Sequence, residues 1–446
     1  MAEPRPRIVV LCDGTWCGRE TGTRTNIYRL AKLFGVDIDD PDTTEAQFRP
    51  PAFPPFPTLI HARYRHGVGL GSTFLDYLFH GITAQDLADE VIAAYRYIVE
   101  SYTPDYEIWL FGLSRGAYTV RAVAGMINNC GVLRPRDDEA QTDLLCREAY
   151  RMYRSNDPVN DPHSPQMVGF RARMAWPLIG DGEQARPPVR FMGLFDTVGG
   201  LGIPTFTGGV GLEWPEFHND VVSSVVQDVC QLLSVHDRFY IFQPCLARRK
   251  GGRAGIDEEW LPGAHYDLGR QRFQFWRSGA GAVERLFGAV GSLPVVGWRR
   301  VIEPNEVLSD LALWKMLKRI GEHDEGHLLI SQSVLDAEMA KLVGAMTERQ
   351  RLGSGDVYAH ISEYVPFGSS IERLISHVAG GIGIWNLFVD LRERVIPNDD
   401  ANVYPFFRMD TNTDMQSVGQ LADITEARYP AKTALSWALR SGRAWP

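Results

Sequence analysis

The residues best placed to do chemistry lie in a five-residue run that joins an apolar segment to a helical one. Gly112, Ser114 and Gly116 form a glycine–x–serine–x–glycine pattern between the apolar residues 107–111 and a segment with helical spacing. In this motif the serine lies on a sharp strand-to-helix turn, and glycines flank it because side chains there would collide with neighbouring backbone. The exposed hydroxyl then suits nucleophilic attack on a carbonyl group. A serine that merely caps the helix is the alternative.

A serine nucleophile needs a base that takes its proton and an acid that orients the base. Where this motif is catalytic on a parallel sheet, the acid and then a histidine follow the serine along the chain. Asp196 fits the acid, because it ends the apolar run 189–195 and precedes Gly199 and Gly200. An aspartate that only bonds the amides of its own turn is the alternative.

Two histidines further along the chain are candidates for the base. His265 follows Pro262 and Gly263 in a tight loop, just after a short apolar segment. His236 lies at what the pattern predicts to be the end of a helix. The spacing favours His265 and leaves His236 open.

The developing negative charge on a carbonyl oxygen needs backbone N–H donors. We expect one from the amide of Arg115, at the start of the helix, and another from the turn after the first strand, at Gly14 and Thr15. The residues predicted to contact the substrate are Asp13, Trp16 and Gly69. An Asp-Gly-Thr turn also suits phosphate transfer, but no acidic metal-binding cluster accompanies it. The sequence therefore predicts no metal and no cofactor.

Taken in order, these segments resemble the hydrolase domain of the type VI secretion phospholipase effectors, a domain also found in fungi and bacteria. The resemblance extends over residues 7–320, and the segments that carry it are residues 13–16, 112–117, 195–199, 261–269 and 308–314. It implies a Ser114, Asp196 and His265 triad, which favours His265 over His236, and hydrolysis of phospholipid esters. Arg270 stands where the family usually has a second glycine, and Cys17 where it often has asparagine.

The elements that must position these residues alternate between strand and helix patterns. Strands are predicted at residues 7–12, 59–65, 107–111, 189–195 and 239–246, and helices at 26–34, 84–100, 115–128 and 331–350. This alternation is typical of the α/β class. With the resemblance, it predicts a doubly wound, mostly parallel sheet of the α/β-hydrolase type, with insertions and a mainly helical C-terminal extension.

The predicted catalytic domain covers residues 1–330, and residues 331–446 form the extension packed on its core. Residues 40–58 are rich in proline and predict an irregular insertion. Within residues 270–300, the apolar positions fit either a lid that opens on lipid or an ordinary core helix and loop.

Composition limits the partners and the compartment. The chain has 446 residues, 44% of them hydrophobic, and a formal net charge of -9, which argues against nucleic acid as a partner. Its six cysteines show no metal-ligand spacing, so we expect reduced thiols. Because no apolar stretch suits a signal peptide or a membrane span, the expected location is cytoplasmic, with peripheral membrane contact left open. The pattern does not indicate an oligomeric state.

The sequence thus favours a serine esterase acting on a small-molecule or lipid ester. Two other functions fit the same pattern. One is acyl transfer to an acceptor other than water, and the other is a non-catalytic binding or scaffold protein that retains the fold.

Overall fold

The centre of the molecule is a mostly parallel β-sheet with helices on both faces. The computed structural model describes residues 5–14, 24–38, 45–47, 60–67, 84–178, 186–198, 205–206, 212–213, 221–238, 242–248, 255–272, 301–347, 353–357, 393–397, 401–403, 429 and 433–442. The strands are β1 (Arg7–Cys12), β2 (Glu45–Gln47), β3 (Ile60–Arg65), β4 (Glu107–Leu113), β5 (Val189–Phe195), β6 (Thr205–Phe206), β7 (Leu212–Glu213), β8 (Val226–Ser234), β9 (Ile256–Leu261) and β10 (Asn402–Val403).

Within the described ranges, eight of these strands form one sheet in the order β10-β9-β8-β5-β4-β1-β3-β2. Neighbouring strands run parallel from β10 through β3, and β2 lies antiparallel at the edge beside β3. The strands β6 and β7 pair separately with each other. This sheet confirms the predicted fold class.

Helices cover the sheet between its strands. They are α1 (Asn26–Leu33), α2 (Ala84–Ser101), α3 (Arg115–Cys130), α4 (Glu139–Arg154), α5 (Pro165–Met174), α6 (His265–Gly269), α7 (Glu306–His323), α8 (Gln332–Thr347) and α9 (Thr433–Arg440), with a 3-10 turn at Pro158–Asn160. Polar side chains begin several of them: Thr25, Asp138, Ser164 and Asn305 each accept a hydrogen bond from a first-turn amide. These caps satisfy amides that have no partner within the helix.

Alternate side chains of β1 enter two different apolar layers. Val9 and Leu11 pack with α1 and α7, whereas Ile8 and Val10 pack with α2 and α3. Successive side chains of a strand point to opposite faces, so a strand covered on both faces must be apolar throughout. The uninterrupted apolar run of residues 8–12 therefore follows from helices on both sides of the sheet.

The fifth predicted strand, at residues 239–246, is wrong over residues 242–246, the part of it that the structure describes. The described residues 242–248 contain no strand, and the chain instead forms β8 at Val226–Ser234. Polar residues inside β8 interrupt the apolar run that would have indicated a buried strand. One of them, Gln231, is fully buried and bonds Thr197 Oγ1, the carbonyl of Cys245 and the carboxylate of Glu258.

The described parts of residues 331–446 join the apolar layer of α1 and α7. Leu335 and Leu342 of α8, Trp437 of α9, Ile396 and Tyr429 all lie in this layer, and β10 extends the sheet beside β9. The division into a domain at 1–330 and an extension at 331–446 stays a prediction.

Several predicted features lie outside the described residues. They are Thr15, Trp16, Gly69, residues 273–300 of the candidate lid, and residues 40–58 apart from β2. In the part of the chain that is described, no helix is long and apolar enough to cross a membrane.

A buried arginine ties β1 to the end of α7. The side chain of Arg7 is 1% exposed, forms a salt bridge with Asp324 and lies over the Trp109 ring at 5.1 Å. Burial lowers the pKa of Arg7 to about 10, so it stays charged at neutral pH. Asp324 also accepts hydrogen bonds from the amides of Leu328, Leu329 and Ile330, which follow α7.

Replacing Asp324 by asparagine is therefore expected to lower the free energy of unfolding by about 3 kcal/mol, because it leaves a buried cation without its main partner. Urea unfolding curves would measure the change. The control is Glu322→Gln, which breaks a half-exposed pair with Arg319 and should change the unfolding free energy by less than about 0.5 kcal/mol. Equal midpoints for the Asp324 variant and wild type would contradict this account.

Candidate active site

Ser114 lies on a strained turn between β4 and α3. Its backbone has φ 57° and ψ -121°, a conformation that non-glycine residues rarely adopt. A Cβ at Gly112 would lie 2.5 Å from backbone atoms of Gly116 and Ala117, and one at Gly116 would lie 2.1 Å from the carbonyl oxygen of Cys12. The glycine positions of the motif are thus required by close backbone packing, as the sequence predicted.

The register of the sheet brings three chain segments to one edge. Cys12 pairs with Gly112 across β1 and β4, and Leu113 pairs with Phe195 across β4 and β5. Ser114 and Asp196 therefore leave the sheet side by side, next to the turn at Gly14. The chain runs from β1 to β3 on one side and returns to β4 on the other, and crevices at such a reversal commonly bind ligands.

His265 reaches the same edge from the turn after β9. The turn contains Gly263 at φ 107°, and His265 is the first residue of α6. The His265 backbone amide donates to Asp237 Oδ2 at 3.0 Å. Its ring then lies between the other two predicted residues, with Nε2 2.9 Å from Ser114 Oγ and Nδ1 2.6 Å from Asp196 Oδ2.

The partners of Asp196 determine which ring nitrogen of His265 carries the proton. Asp196 is fully buried and accepts hydrogen bonds from the Ser234 amide at 2.9 Å and the Ser234 hydroxyl at 3.1 Å. An ionised carboxylate can only accept, so His265 Nδ1 must donate to it. His265 Nε2 is then free of its proton and can accept the hydroxyl proton of Ser114. This arrangement can abstract that proton as an ester is attacked.

Gly14 lies against Ser114, as predicted, but its amide is engaged within the turn. A Cβ at Gly14 would lie 3.1 Å from Ser114 Cβ and 2.9 Å from Gln271 Nε2. The amide donates to Asp13 Oδ1 at 2.8 Å. Arg115 begins α3, so the positive end of this helix lies beside Ser114, which suits the predicted oxyanion donor. Both roles stay predictions.

Asp13 is bound within the fold. Its Oδ2 accepts hydrogen bonds from Thr25 Oγ1 at 2.5 Å and from the Tyr64 hydroxyl at 2.7 Å. These contacts join the turn after β1 to α1 and β3. They hold Gly14 beside Ser114, and the predicted contact of Asp13 with substrate stays a prediction.

The other candidate base, His236, supports the turn that carries His265. It follows β8, not a helix, and its Nδ1 accepts a hydrogen bond from the Gly263 amide at 2.9 Å. Its ring stacks on Tyr429 with the centroids 5.2 Å apart. Burial lowers the pKa of His236 to about 3, so the ring stays neutral. The structure places His265, and not His236, in hydrogen-bond contact with Ser114.

Most of this chain matches a known protein family. The sequence model described as "T6SS, Phospholipase effector Tle1-like, catalytic domain" matches residues 6–317, which is more than half of the chain and includes Ser114, Asp196 and His265. The chain belongs to this family.

Other relatives are more distant. The uncharacterized protein YEL023C of Saccharomyces cerevisiae is 26% identical over 199 residues, which cover 44% of this chain and 27% of that protein. The chain thus spans about a quarter of the length of this relative.

Two solved structures are also similar. A Tle1 effector bound to the VgrG spike of the type 6 secretion system is 17% identical with a TM-score of 0.32, covering 76% of this chain and 79% of that one. An uncharacterized protein from Pseudomonas aeruginosa is 17% identical with a TM-score of 0.32, covering 86% and 56%.

A residue outside the span matched to the Tle1-like domain also touches the site. Arg394 is 1% exposed, and its guanidinium donates to Asp196 Oδ1 at 2.6 Å and Oδ2 at 2.8 Å. Burial alone would raise the pKa of Asp196, but Arg394 and His265 outweigh it and hold the pKa well below its usual value. Arg394 was missed from the sequence, where no motif marks an arginine 198 residues from its partner.

Another buried aspartate of the Tle1-like domain lies two residues after His265 in the chain. Asp267 is 0% exposed and accepts hydrogen bonds from the amides of Ala264 and Asn305 and from the Tyr429 hydroxyl. Burial raises the pKa of Asp267 to about 7, against these donors. Between about pH 4 and pH 7, Asp267 therefore keeps its proton in the native state, whereas the same carboxyl group in the unfolded chain has released it.

The protonated Asp267 should therefore stabilise the fold fully below about pH 4, and this contribution should be lost as the pH rises towards 7. Across that range we expect the unfolding free energy of wild type to fall relative to that of Asp267→Asn by about 1 kcal/mol per pH unit. Urea unfolding at a series of pH values would measure both proteins. The exposed Asp336→Asn change is the control and should follow wild type. Parallel pH profiles for wild type and Asp267→Asn would contradict the prediction.

Proposed function

We propose that this protein is a serine hydrolase that cleaves carboxylic esters of phospholipids, with Ser114 as nucleophile, His265 as base and Asp196 orienting the base. The observation that carries the proposal is the continuous hydrogen-bonded chain from Ser114 Oγ through both ring nitrogens of His265 to Asp196. Membership of a family of phospholipase effectors supports the lipid substrate.

In the first half of the reaction, Ser114 Oγ attacks the ester carbonyl carbon while His265 Nε2 takes its proton. The negative charge that develops on the carbonyl oxygen is stabilised by the amide of Arg115 and the positive end of α3. When the carbon–oxygen bond to the alcohol breaks, His265 Nε2 returns the proton to the leaving oxygen. The products are a lysophospholipid and an acyl group held as an ester on Ser114.

In the second half, water replaces the leaving alcohol. His265 Nε2 takes a proton from water, the hydroxyl adds to the acyl carbon, and the proton passes to Ser114 Oγ as the fatty acid leaves. Asp196 stays ionised throughout and stabilises the imidazolium that forms in each half. The low pKa of Asp196 and its buried hydrogen bonds fit this role.

The substrate class can be tested with vesicles of phosphatidylethanolamine and phosphatidylglycerol, beside a soluble short-chain ester. We expect release of free fatty acid and lysophospholipid from the vesicles. Cleavage of the soluble ester alone would overturn the lipid assignment and keep the hydrolase. Release of a phosphorylated head group in place of fatty acid would overturn cleavage of the carboxylic ester. Adding an alcohol acceptor and finding no acyl transfer would distinguish hydrolysis from acyltransferase activity.

A further inference from the structure

We propose that Arg394 is a positioning residue for this active site, so that the C-terminal segment 393–397 completes the catalytic machinery. The proposal rests on the proposed function and extends it to a residue beyond the family match at residues 6–317.

Arg394 and Asp196 form a bidentate contact between a planar guanidinium and a planar carboxylate. Nη1 of Arg394 bonds Oδ1 of Asp196 at 2.6 Å, and Nη2 bonds Oδ2 at 2.8 Å. Both side chains are 0% exposed. Paired hydrogen bonds of this kind fix the plane of the carboxylate, which a single contact does not. Because Asp196 Oδ2 also accepts from His265, the guanidinium sets the direction in which the ring is held.

The same two nitrogens of the guanidinium also bond backbone carbonyls at the walls of the site. Nη1 donates to the carbonyl of Ser234 at 2.7 Å, and Nη2 donates to the carbonyl of Phe242. The Phe242 ring stacks on His265 with the centroids 4.5 Å apart and the planes at 22°. Arg394 therefore holds both the carboxylate and the residue that packs on the face of the base.

The C-terminal segment is itself anchored away from Asp196. Thr433 Oγ1 donates to the carbonyl of Arg394 at 2.8 Å, and Arg440 donates to the carbonyl of Ile396. These bonds join residues 393–397 to α9 and leave the guanidinium directed at the site. Thr433 therefore supplies a control that removes one anchor of the segment and none of the groups that contact Asp196.

The test compares Arg394→Met, which removes both the charge and the paired hydrogen bonds, with Arg394→Lys, which keeps only the charge. For Arg394→Met we expect kcat to fall about 100-fold with KM within about twofold. For Arg394→Lys we expect kcat to fall about tenfold with KM again within about twofold. The control Thr433→Val should match wild type in both kcat and KM.

A purely structural role would lower the amount of folded protein and leave kcat of the folded fraction unchanged. Wild-type kcat in folded Arg394→Met would overturn the proposal. If Arg394→Met does not fold, wild-type kcat in Arg394→Lys would overturn it. If wild type itself releases no fatty acid and no alcohol from any ester, it is the proposed function that fails, and the two failures are thereby distinguished.

Discussion

Replacing Ser114 by alanine is expected to lower ester hydrolysis by about 10⁵-fold or more, because it removes the atom that forms the acyl bond. The folded structure should survive, since alanine keeps the Cβ and the turn is held by the backbone packing of Gly112 and Gly116. The expected change is therefore in kcat, with the unfolding midpoint close to that of wild type.

Two measurements separate this result from general damage. A fluorophosphonate probe should label wild type covalently and leave Ser114→Ala unlabelled. The matched control is Ser309→Ala, because Ser309 is also fully buried but its hydroxyl donates to the backbone carbonyls of Asn305 and Asp267. It should keep both labelling and hydrolysis. Labelling that persists in Ser114→Ala would show that another residue is the nucleophile, and an unlabelled wild type would favour the scaffold alternative.

Replacing His265 by alanine is expected to lower kcat by about 10⁵-fold, comparable with the loss of the serine itself, because members of such a chain act as a unit. Probe labelling should also fall to background, since Ser114 would lack the base that accepts its proton from 2.9 Å away. Fatty acid release and labelling rate would measure the two effects on the same protein.

The control for His265 is the other buried histidine. His236→Gln should keep kcat within about tenfold of wild type and lower the free energy of unfolding by about 1–3 kcal/mol, because the Gly263 amide loses a well-placed acceptor. The two variants should thus lose different properties, one catalysis and the other stability. Wild-type activity in His265→Ala, or abolished activity in a folded His236→Gln, would reverse the assignment of the base.

The choice between these histidines depends on information that the residue pattern does not contain. Both lie downstream of Asp196, and the spacing together with the resemblance to a family favours His265. The distance to Ser114 depends on how β8 and β9 pair, and the buried polar residue Gln231 hid β8 from the apolar pattern. His236 accepts a hydrogen bond from the Gly263 amide, so it supports the turn that carries His265.

Asp13 and Arg394 mark the same limit. The carboxylate of Asp13 accepts from Thr25 and Tyr64, which lie 12 and 51 residues away, and its predicted contact with substrate stays a prediction. Arg394 carries no motif at all, and only the packing of the C-terminal segment brings it to Asp196. Contacts across such separations depend on how elements pack, and a residue pattern along the chain does not contain that information.

The sequence by itself determined the turn at Ser114 and the strands β1, β4 and β5. Both follow from local rules: two glycines are needed where backbones nearly touch, and a strand covered on both faces is apolar throughout. The tertiary structure decided which histidine faces Ser114 and supplied the arginine behind Asp196. These depend on the register of parallel strands and on the docking of distant segments, which place side chains within 3 Å of partners that the chain keeps 151 and 198 residues apart.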